Sequence, residues 1–139
     1  MPPPPNPRRP AQMSAADFQA QAKPSPKATP TNQLTQAIIR LLQLHNFRAW
    51  RQNNGGVYDP TRKVFRANSA EKGISDILGY HRPTGRFCAV EVKTGKDALS
   101  KEQTSFLQEV ERAGGFACEG RDVGQVEAEL KAYLLTLPT

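Results

Sequence analysis

GISDILGYHRPTGRFCAVEVKTG, residues 73–95, contains the clearest strand pattern in the chain. Apolar residues dominate positions 75–81 and 86–94, and between them lies Arg82-Pro83-Thr84-Gly85, whose composition is typical of a tight turn. We therefore predict a β-hairpin. Its strands also hold three charged residues, Asp76, Glu91 and Lys93, in sequence that otherwise has the character of a sheet interior.

The turn sets which residues of the hairpin face each other. If the loop is Pro83-Thr84, the numbers of paired residues sum to 167, and Asp76 lies directly opposite Glu91. A Pro-Thr-Gly loop with a glycine bulge is the alternative, and it shifts the register by about one residue. Lys93 follows Glu91 by two positions, so both project from one face of the strand. In either register the two acids and the lysine converge.

Two interpretations of this charge cluster remain open from geometry alone. A buried carboxylate without a partner is costly, so charges in core strands are usually paired or bind a metal. Two adjacent carboxylates with a backbone carbonyl suit Mg²⁺ or Mn²⁺, which prefer oxygen ligands. Alternatively, Asp76, Glu91 and Lys93 form a structural ion-pair cluster that joins the two strands.

The elements around the hairpin predict a small α/β domain. Helical spacing of apolar residues predicts a helix from an N-cap at Thr31 to about Leu44. Further strands are expected at 47–52, 63–67 and 116–119, and further helices at 100–113 and after an N-cap at Asp122. The resulting order is α-β-β-β-β-α-β-α, a mixed β-sheet flanked by helices.

The remaining composition restricts the class of protein. Nine of the twelve prolines lie in residues 1–30, which lack large apolar side chains, so we expect a disordered Pro-rich tail before a domain at 31–139. No apolar run is long enough for a membrane span, and no secretory signal is recognisable, so we expect an intracellular, cytoplasmic protein. The chain has a net charge of +6, and residues 31–98 account for all of it because the charges in the rest of the chain cancel. A positive charge concentrated in this part suits a polyanionic partner such as DNA.

The charged hairpin resembles the PD-(D/E)xK nuclease superfamily, and within it the VRR-NUC family of virus-type replication and repair nucleases. The resemblance covers about residues 31–130, and the pattern of motifs with their spacing is specific, whereas an isolated Asp with Glu-x-Lys is common by chance. The motifs are Gly73-x-Ser75-Asp76-Ile77-Leu78-Gly79, Glu91-Val92-Lys93-Thr94-Gly95, Leu99-Ser100-Lys101-Glu102-Gln103 and Ala113-Gly114-Gly115.

The resemblance implies a restriction-endonuclease-like fold and a role for each site residue. Asp76 and Glu91 would bind Mg²⁺ or Mn²⁺ with the carbonyl of Val92, and Lys93 would position the attacking water. Gln103 matches a glutamine that orients the site in related nucleases. Its position also predicts a second role, because residues 100–103 read as a helix-capping box.

One departure from the family concerns the first helix. Many relatives carry a glutamate there that contributes to the metal site, whereas residues 31–44 contain no acid. Gln33 or Gln36 is the nearest substitute. We therefore expect one tightly bound metal ion.

Basic residues near the hairpin are candidates for DNA contacts, since Arg and Lys dominate binding to the phosphate backbone. We expect Trp50 to pack in the core or a loop rather than stack on bases, His81 to be exposed, and Cys88 and Cys118 to be buried thiols. The candidate DNA-binding residues are Arg48, Arg51, Asn53, Arg62, Lys63, Arg66 and Lys72.

The sequence thus predicts a metal-dependent endonuclease that hydrolyses DNA phosphodiester bonds. The resemblance further implies a preference for branched, flap or junction DNA, a part in repair, recombination or phage replication, and a possible homodimer. A catalytically weak or inactive nucleic-acid-binding module with the same fold is the alternative. The sequence indicates no partner for the Pro-rich tail.

Overall fold

The computed structural model describes residues 29–52, 57–66 and 71–138 of the chain. Residues 1–28 of the predicted tail and the loop 53–56, which includes Asn53, lie outside these residues, whereas Thr29 and Pro30 are described. The described elements are α1 (Pro30–Leu44), β1 (Phe47–Arg51), β2 (Val57–Asp59), β3 (Val64–Arg66), β4 (Ile77–His81), β5 (Phe87–Val92), α2 (Lys101–Arg112), β6 (Phe116–Gly120) and α3 (Val123–Leu135).

The predicted class and element order are confirmed. A four-stranded mixed sheet has the order β1-β4-β5-β6, with β5 and β6 parallel and the other neighbours antiparallel. The short strand β2 is additional: it pairs with β3 in a separate two-stranded sheet. A strand of three residues is too short to show the alternation from which strands are predicted.

Helices cover both faces of the four-stranded sheet. On one face, α1 and α3 pack against buried strand residues such as Phe47, Ile77 and Val90. On the other face, Leu107 and Val110 of α2 pack against Ala89. The predicted burial of the two free thiols is confirmed, and burial raises the pKa of Cys88 to about 12. No helix in the described part of the chain is long and apolar enough to cross a membrane.

The β4–β5 register is the one in which paired residue numbers sum to 167, as in Ile77↔Val90 and Tyr80↔Phe87. The loop, however, matches neither predicted form. The His81 N–H donates to the Arg86 carbonyl at 2.7 Å and the Gly85 N–H to the His81 carbonyl at 2.7 Å, which leaves four residues in the loop. Gly85 closes it with a φ of 73°, a conformation that favours glycine. The register therefore keeps Asp76 and Glu91 at facing positions.

Three local predictions are corrected. The N-cap of α1 is Thr29, not Thr31, because Pro30 occupies the first helical turn and the Thr29 side chain accepts the Asn32 N–H at 3.1 Å. His81 is buried rather than exposed, since its ring packs on Phe47 with centroids 4.8 Å apart. Trp50 is 41% exposed rather than part of the core.

Gly79 allows β1 and β4 to approach each other. A Cβ atom at this position would lie 2.1 Å from the Arg48 carbonyl oxygen and 2.8 Å from the Cα atom of Ala49. Both are backbone atoms of the paired strand, so a rotamer change cannot relieve the clash.

We predict that Gly79→Ala lowers the free energy of unfolding by about 3 kcal/mol, at the upper end of ordinary overpacking costs. Urea unfolding followed by circular dichroism measures it. Gly85→Ala is the matched control, because a Cβ there meets open space and only the positive φ is strained, at roughly 1 kcal/mol. Equal losses in both variants would contradict the proposed backbone clash.

Candidate functional site

Asp76 is held between two neighbouring strands. It directly precedes β4, and its carbonyl oxygen accepts the Gln52 N–H at 2.7 Å, which extends the pairing with β1. Its Oδ2 accepts the Val92 N–H at 3.0 Å on the side of β5. The carboxyl group of Asp76 therefore lies at a fixed position beside Glu91, within hydrogen-bonding reach of that side chain.

Glu91 is a buried acid, and only one of its two carboxylate oxygens is contacted by a hydrogen-bond donor or a cation among the described residues. Its Oε1 accepts the Gln103 side-chain amide at 2.8 Å, and Lys93 Nζ lies 3.9 Å from the same oxygen. No hydrogen-bond donor in the described residues reaches Oε2, which is buried. Burial, and then the negative charge of Asp76, raise the pKa of Glu91 to about 8. Without a bound cation, this carboxyl group therefore tends to hold a proton at neutral pH.

This geometry bears on the alternative of a structural ion-pair cluster. Among the described residues, Lys93 makes one ion pair, at 3.9 Å, the outer limit for such a contact, and no donor reaches Glu91 Oε2. A cluster that served only to join two strands would be expected to satisfy both carboxylate oxygens. The arrangement instead leaves a buried oxygen available beside a second carboxylate.

Gln103 caps α2 and also contacts Glu91. Its side-chain oxygen accepts the Ser100 N–H at 2.9 Å, and its own N–H donates to Ser100 Oγ at 3.1 Å, which completes the capping box of α2. The amide nitrogen of the same side chain donates to Glu91. The start of α2 thereby fixes the direction of one oxygen of the site.

Gly73 places the loop before Asp76 against the start of α2. Its φ is 82°, and a Cβ atom would lie 2.4 Å from backbone atoms of Glu102 and 2.8 Å from the Gln103 nitrogen. Only glycine fits such a contact. The glycine of the first motif therefore brings the segments that carry Asp76 and Gln103 together.

The segment after β5 is also held in place. The Lys93 N–H donates to the Gly120 carbonyl at 3.0 Å, which extends the β5–β6 pairing beyond Val92. The hydroxyl groups of Thr31 and Thr94 lie 3.0 Å apart, so the start of α1 contacts this segment. The α1 residue at this contact is a threonine, whereas Gln33 and Gln36 are exposed.

The predicted DNA-binding residues that the structure describes lie on different elements. Arg48 and Arg51 are exposed on β1, and Lys72 is exposed in the turn before Gly73. Arg62 and Lys63 are exposed in the turn of the separate β2–β3 sheet. Arg66 ends β3.

The site contains two residues that the sequence did not single out. Gln52 binds the Asp76 carbonyl through its N–H, and its side chain accepts the Trp50 indole N–H at 3.3 Å. Thr31 contacts Thr94 as described above. Their roles depend on the β1–β4 register and on the packing of α1, and neither is determined by local spacing.

The donors of the site fit a hard divalent cation. Two carboxyl groups face each other, and one buried oxygen lacks a donor in the described residues. Oxygen donors of this kind are those that Mg²⁺ and Mn²⁺ prefer. No group of three or more His, Cys, Asp or Glu side chains suited to a metal occurs among the described residues.

Comparison with known families agrees with this arrangement. The VRR-NUC domain matches the chain over residues 29–121, about two thirds of its length. The chain belongs to the VRR-NUC family. The match spans α1 to the end of β6 and includes Asp76, Glu91, Lys93 and Gln103. It is a nuclease-type domain, a class whose substrate is DNA. Neither the curated proteins nor the solved structures contain a significant match to the chain.

We predict that Asp76→Asn stabilises the metal-free VRR-NUC domain at alkaline pH. Glu91 has a pKa of about 8 in the folded protein, against 4.5 for an ordinary glutamate, so the stability that its bound proton contributes is complete below about pH 4.5 and is lost as pH rises from there to about 8. The substitution removes the neighbouring negative charge and keeps an acceptor for the Val92 N–H. We expect the free energy of unfolding to increase by on the order of 1 kcal/mol, which corresponds to several degrees in Tm.

Thermal unfolding in EDTA at pH 5 and pH 8.5 measures this effect. The gain should be present at pH 8.5 and small at pH 5, where Glu91 is protonated in both proteins. Asp97→Asn, at an exposed loop position, is the matched control and should leave Tm unchanged at both values. An Asp76→Asn protein that is no more stable than wild type at pH 8.5 would contradict the proposed repulsion between the carboxylates of Asp76 and Glu91.

Proposed function

We propose that this VRR-NUC domain is an Mg²⁺- or Mn²⁺-dependent endonuclease that hydrolyses DNA phosphodiester bonds. The observation that carries the proposal is the buried Glu91 Oε2, which has no donor among the described residues and lies beside the Asp76 carboxyl group. Burying like charges together is unfavourable unless a cation or a proton compensates them.

Asp76, Glu91 and the carbonyl of Val92 are the proposed ligands. The amide and carbonyl of a strand residue point to the same side, and the Val92 N–H contacts Asp76. The Val92 carbonyl is therefore directed toward the carboxylate pair. When bound, the divalent cation lowers the pKa of a coordinated water and shields the negative charge of the phosphodiester.

Lys93 and Gln103 have separate proposed roles around these ligands. The side chain of Lys93 is 16% exposed and lies on the Glu91 side of β5, so its ammonium group can contact both the carboxylate and an incoming water. It orients that water and stabilises negative charge on the phosphate. Gln103 is a positioning residue, because it acts by fixing the direction of Glu91.

The same proposal includes the DNA contacts, the preferred substrate, the biological role and the oligomeric state predicted from the sequence. Arg48, Arg51, Asn53, Arg62, Lys63, Arg66 and Lys72 contact the DNA backbone, and the substrate is branched, flap or junction DNA. A role in repair, recombination or phage replication in the cytoplasm follows from such a substrate. A homodimer would place two sites on the two strands of a junction.

We predict that cleavage requires Mg²⁺ or Mn²⁺ and is lost in Asp76→Asn, Glu91→Gln and Lys93→Ala. A gel assay on linear, flap, splayed and four-way-junction DNA, with each metal and with EDTA, measures both activity and preference. Lys96→Ala, an exposed lysine on the following loop, is the matched control and should cleave like wild type. Full activity of Asp76→Asn would overturn the site assignment.

An inactive DNA-binding module remains the second candidate, and one observation favours it. The start of α1, which contacts the segment after Lys93, presents Thr31 and no acid. The same assay separates the two functions, because a module would bind the branched substrates without cutting them in either metal. Cleavage that depends on Glu91 would exclude it.

We predict that Gln103→Ala lowers kcat about 10- to 100-fold with little change in KM, as for other residues that orient metal ligands. Ser100→Ala is the matched control, because it removes the capping hydroxyl and keeps the Gln103–Glu91 contact. Each variant should lose about 1 kcal/mol of stability through the cap. A kcat loss of the same size in both would show that Gln103 acts only through the helix.

A further inference from the structure

Three aromatic side chains are exposed on the sheet face that carries Asp76 and Glu91. Trp50 is 41%, Tyr80 38% and Phe87 40% exposed. Tyr80 pairs directly with Phe87, and Trp50 pairs with Leu78, which precedes Tyr80 by two positions on β4. Directly paired strand residues share a face, and diagonal neighbours are about 7–8 Å apart. We call these three residues the aromatic row.

The aromatic row lies beside the part of the face that α2 covers. Leu78 and Ala89 pack against the apolar side of α2, with Leu107 and Val110. The row continues from these residues toward the hairpin turn and toward the edge strand β1. Large aromatic side chains at adjacent positions are normally buried or bind a partner.

The row is continuous with the candidate active site. The Trp50 indole donates to the Gln52 side chain, and Gln52 donates through its backbone to the carbonyl of Asp76. Trp50 thus occupies the position diagonal to Asp76 across β1 and β4. A ligand on the row would reach the carboxylate pair past Trp50 on β1, because α2 covers Leu78 and Ala89 between the Tyr80–Phe87 pair and the acids.

The charge around the row favours a polyanion. Arg48 pairs directly with Tyr80 and is exposed on the same face. Arg82 is exposed in the hairpin turn. Between the two acids of the site, residues 77–90 contain no Asp or Glu, and neither does β1. Within β1 and residues 77–90, the strands that a phosphate backbone would cross therefore carry arginines and no carboxylate.

We infer that the aromatic row stacks against the bases of an unpaired DNA strand that leads into the Asp76–Glu91 site. The inference rests on the proposed nuclease function and names the part of the substrate that this face recognises. Aromatic side chains with adjacent arginines bind single strands in this way, since every base offers a π-face. A base-paired strand keeps its bases inside the duplex and cannot make these contacts.

Trp50 is the single tryptophan of the chain, so its emission reports directly on the row. The experiment titrates the full-length protein in EDTA, which prevents cleavage, with a 16-nucleotide oligo(dT) and with a duplex of equal length. Oligo(dT) should quench the Trp50 emission to saturation, and the duplex should quench it far less. Binding measured by anisotropy on the same samples gives the affinity independently of the quenching.

Tyr80→Ala and Phe87→Ala should each weaken oligo(dT) binding about tenfold. Tyr80→Phe should restore it, because stacking needs the ring and not the hydroxyl group. Leu44→Ala and Leu135→Ala are controls, as both leucines are exposed and lie at the ends of α1 and α3, away from the row. Circular dichroism confirms that each variant is folded.

Unchanged emission on saturation with oligo(dT), or equal quenching by the duplex, would overturn the inference. It would also fail if the row mediated self-association, seen as a dimer in sedimentation that Tyr80→Ala dissociates. Cleavage of DNA without stacking would refute this inference alone. Stacking on the row without cleavage in Mg²⁺ or Mn²⁺ would refute the proposed nuclease and support strand binding.

Discussion

The structure is organised around two carboxyl groups that repel each other and are nevertheless held together. Asp76 and Glu91 face each other because β4 and β5 pair in the register whose paired residue numbers sum to 167. Burial and the negative charge of Asp76 raise the pKa of Glu91, so the folded chain holds an ionised Glu91 only at a cost. The remaining free energy of folding must outweigh that cost.

The features that maintain the contact are mostly glycines and backbone hydrogen bonds. Gly79 lets β1 approach β4, and Gly73 lets the loop before Asp76 rest on the start of α2. The Val92 N–H and the Gln103 amide then fix one oxygen of each acid. These constraints leave little freedom at the site, so the ligand that completes it must fit an almost fixed set of oxygen atoms.

The sequence predicted what depends on local patterns, and it failed where packing decides. Local patterns predict the hairpin and the capping role of Gln103, whereas they leave two registers open, and the site role of Gln103 is implied only by the family resemblance. The turn lies at residues 82–85 as predicted, but both predicted loops were too short, because the strand pairing ends at His81 and Arg86 and Gly85 closes a four-residue loop. Trp50 was misplaced because it lies on the edge strand β1, whereas α2 packs on β5 and β6, an arrangement that no local pattern encodes.

The position at which α2 ends affects both the packing of the sheet and the exposure of the aromatic row. A longer helix would bury Tyr80 and Phe87 and add apolar contacts, yet α2 ends at Arg112 and is followed by a glycine pair at 114–115. Gly115 packs so closely on the Phe87 carbonyl that a Cβ atom would lie 2.5 Å from it. The chain therefore turns away at the point where the aromatic row begins. The Tyr80–Phe87 pair is thereby left uncovered, and a strand bound there would reach the two carboxylates past Trp50 on β1, because α2 covers Leu78 and Ala89 between that pair and the acids.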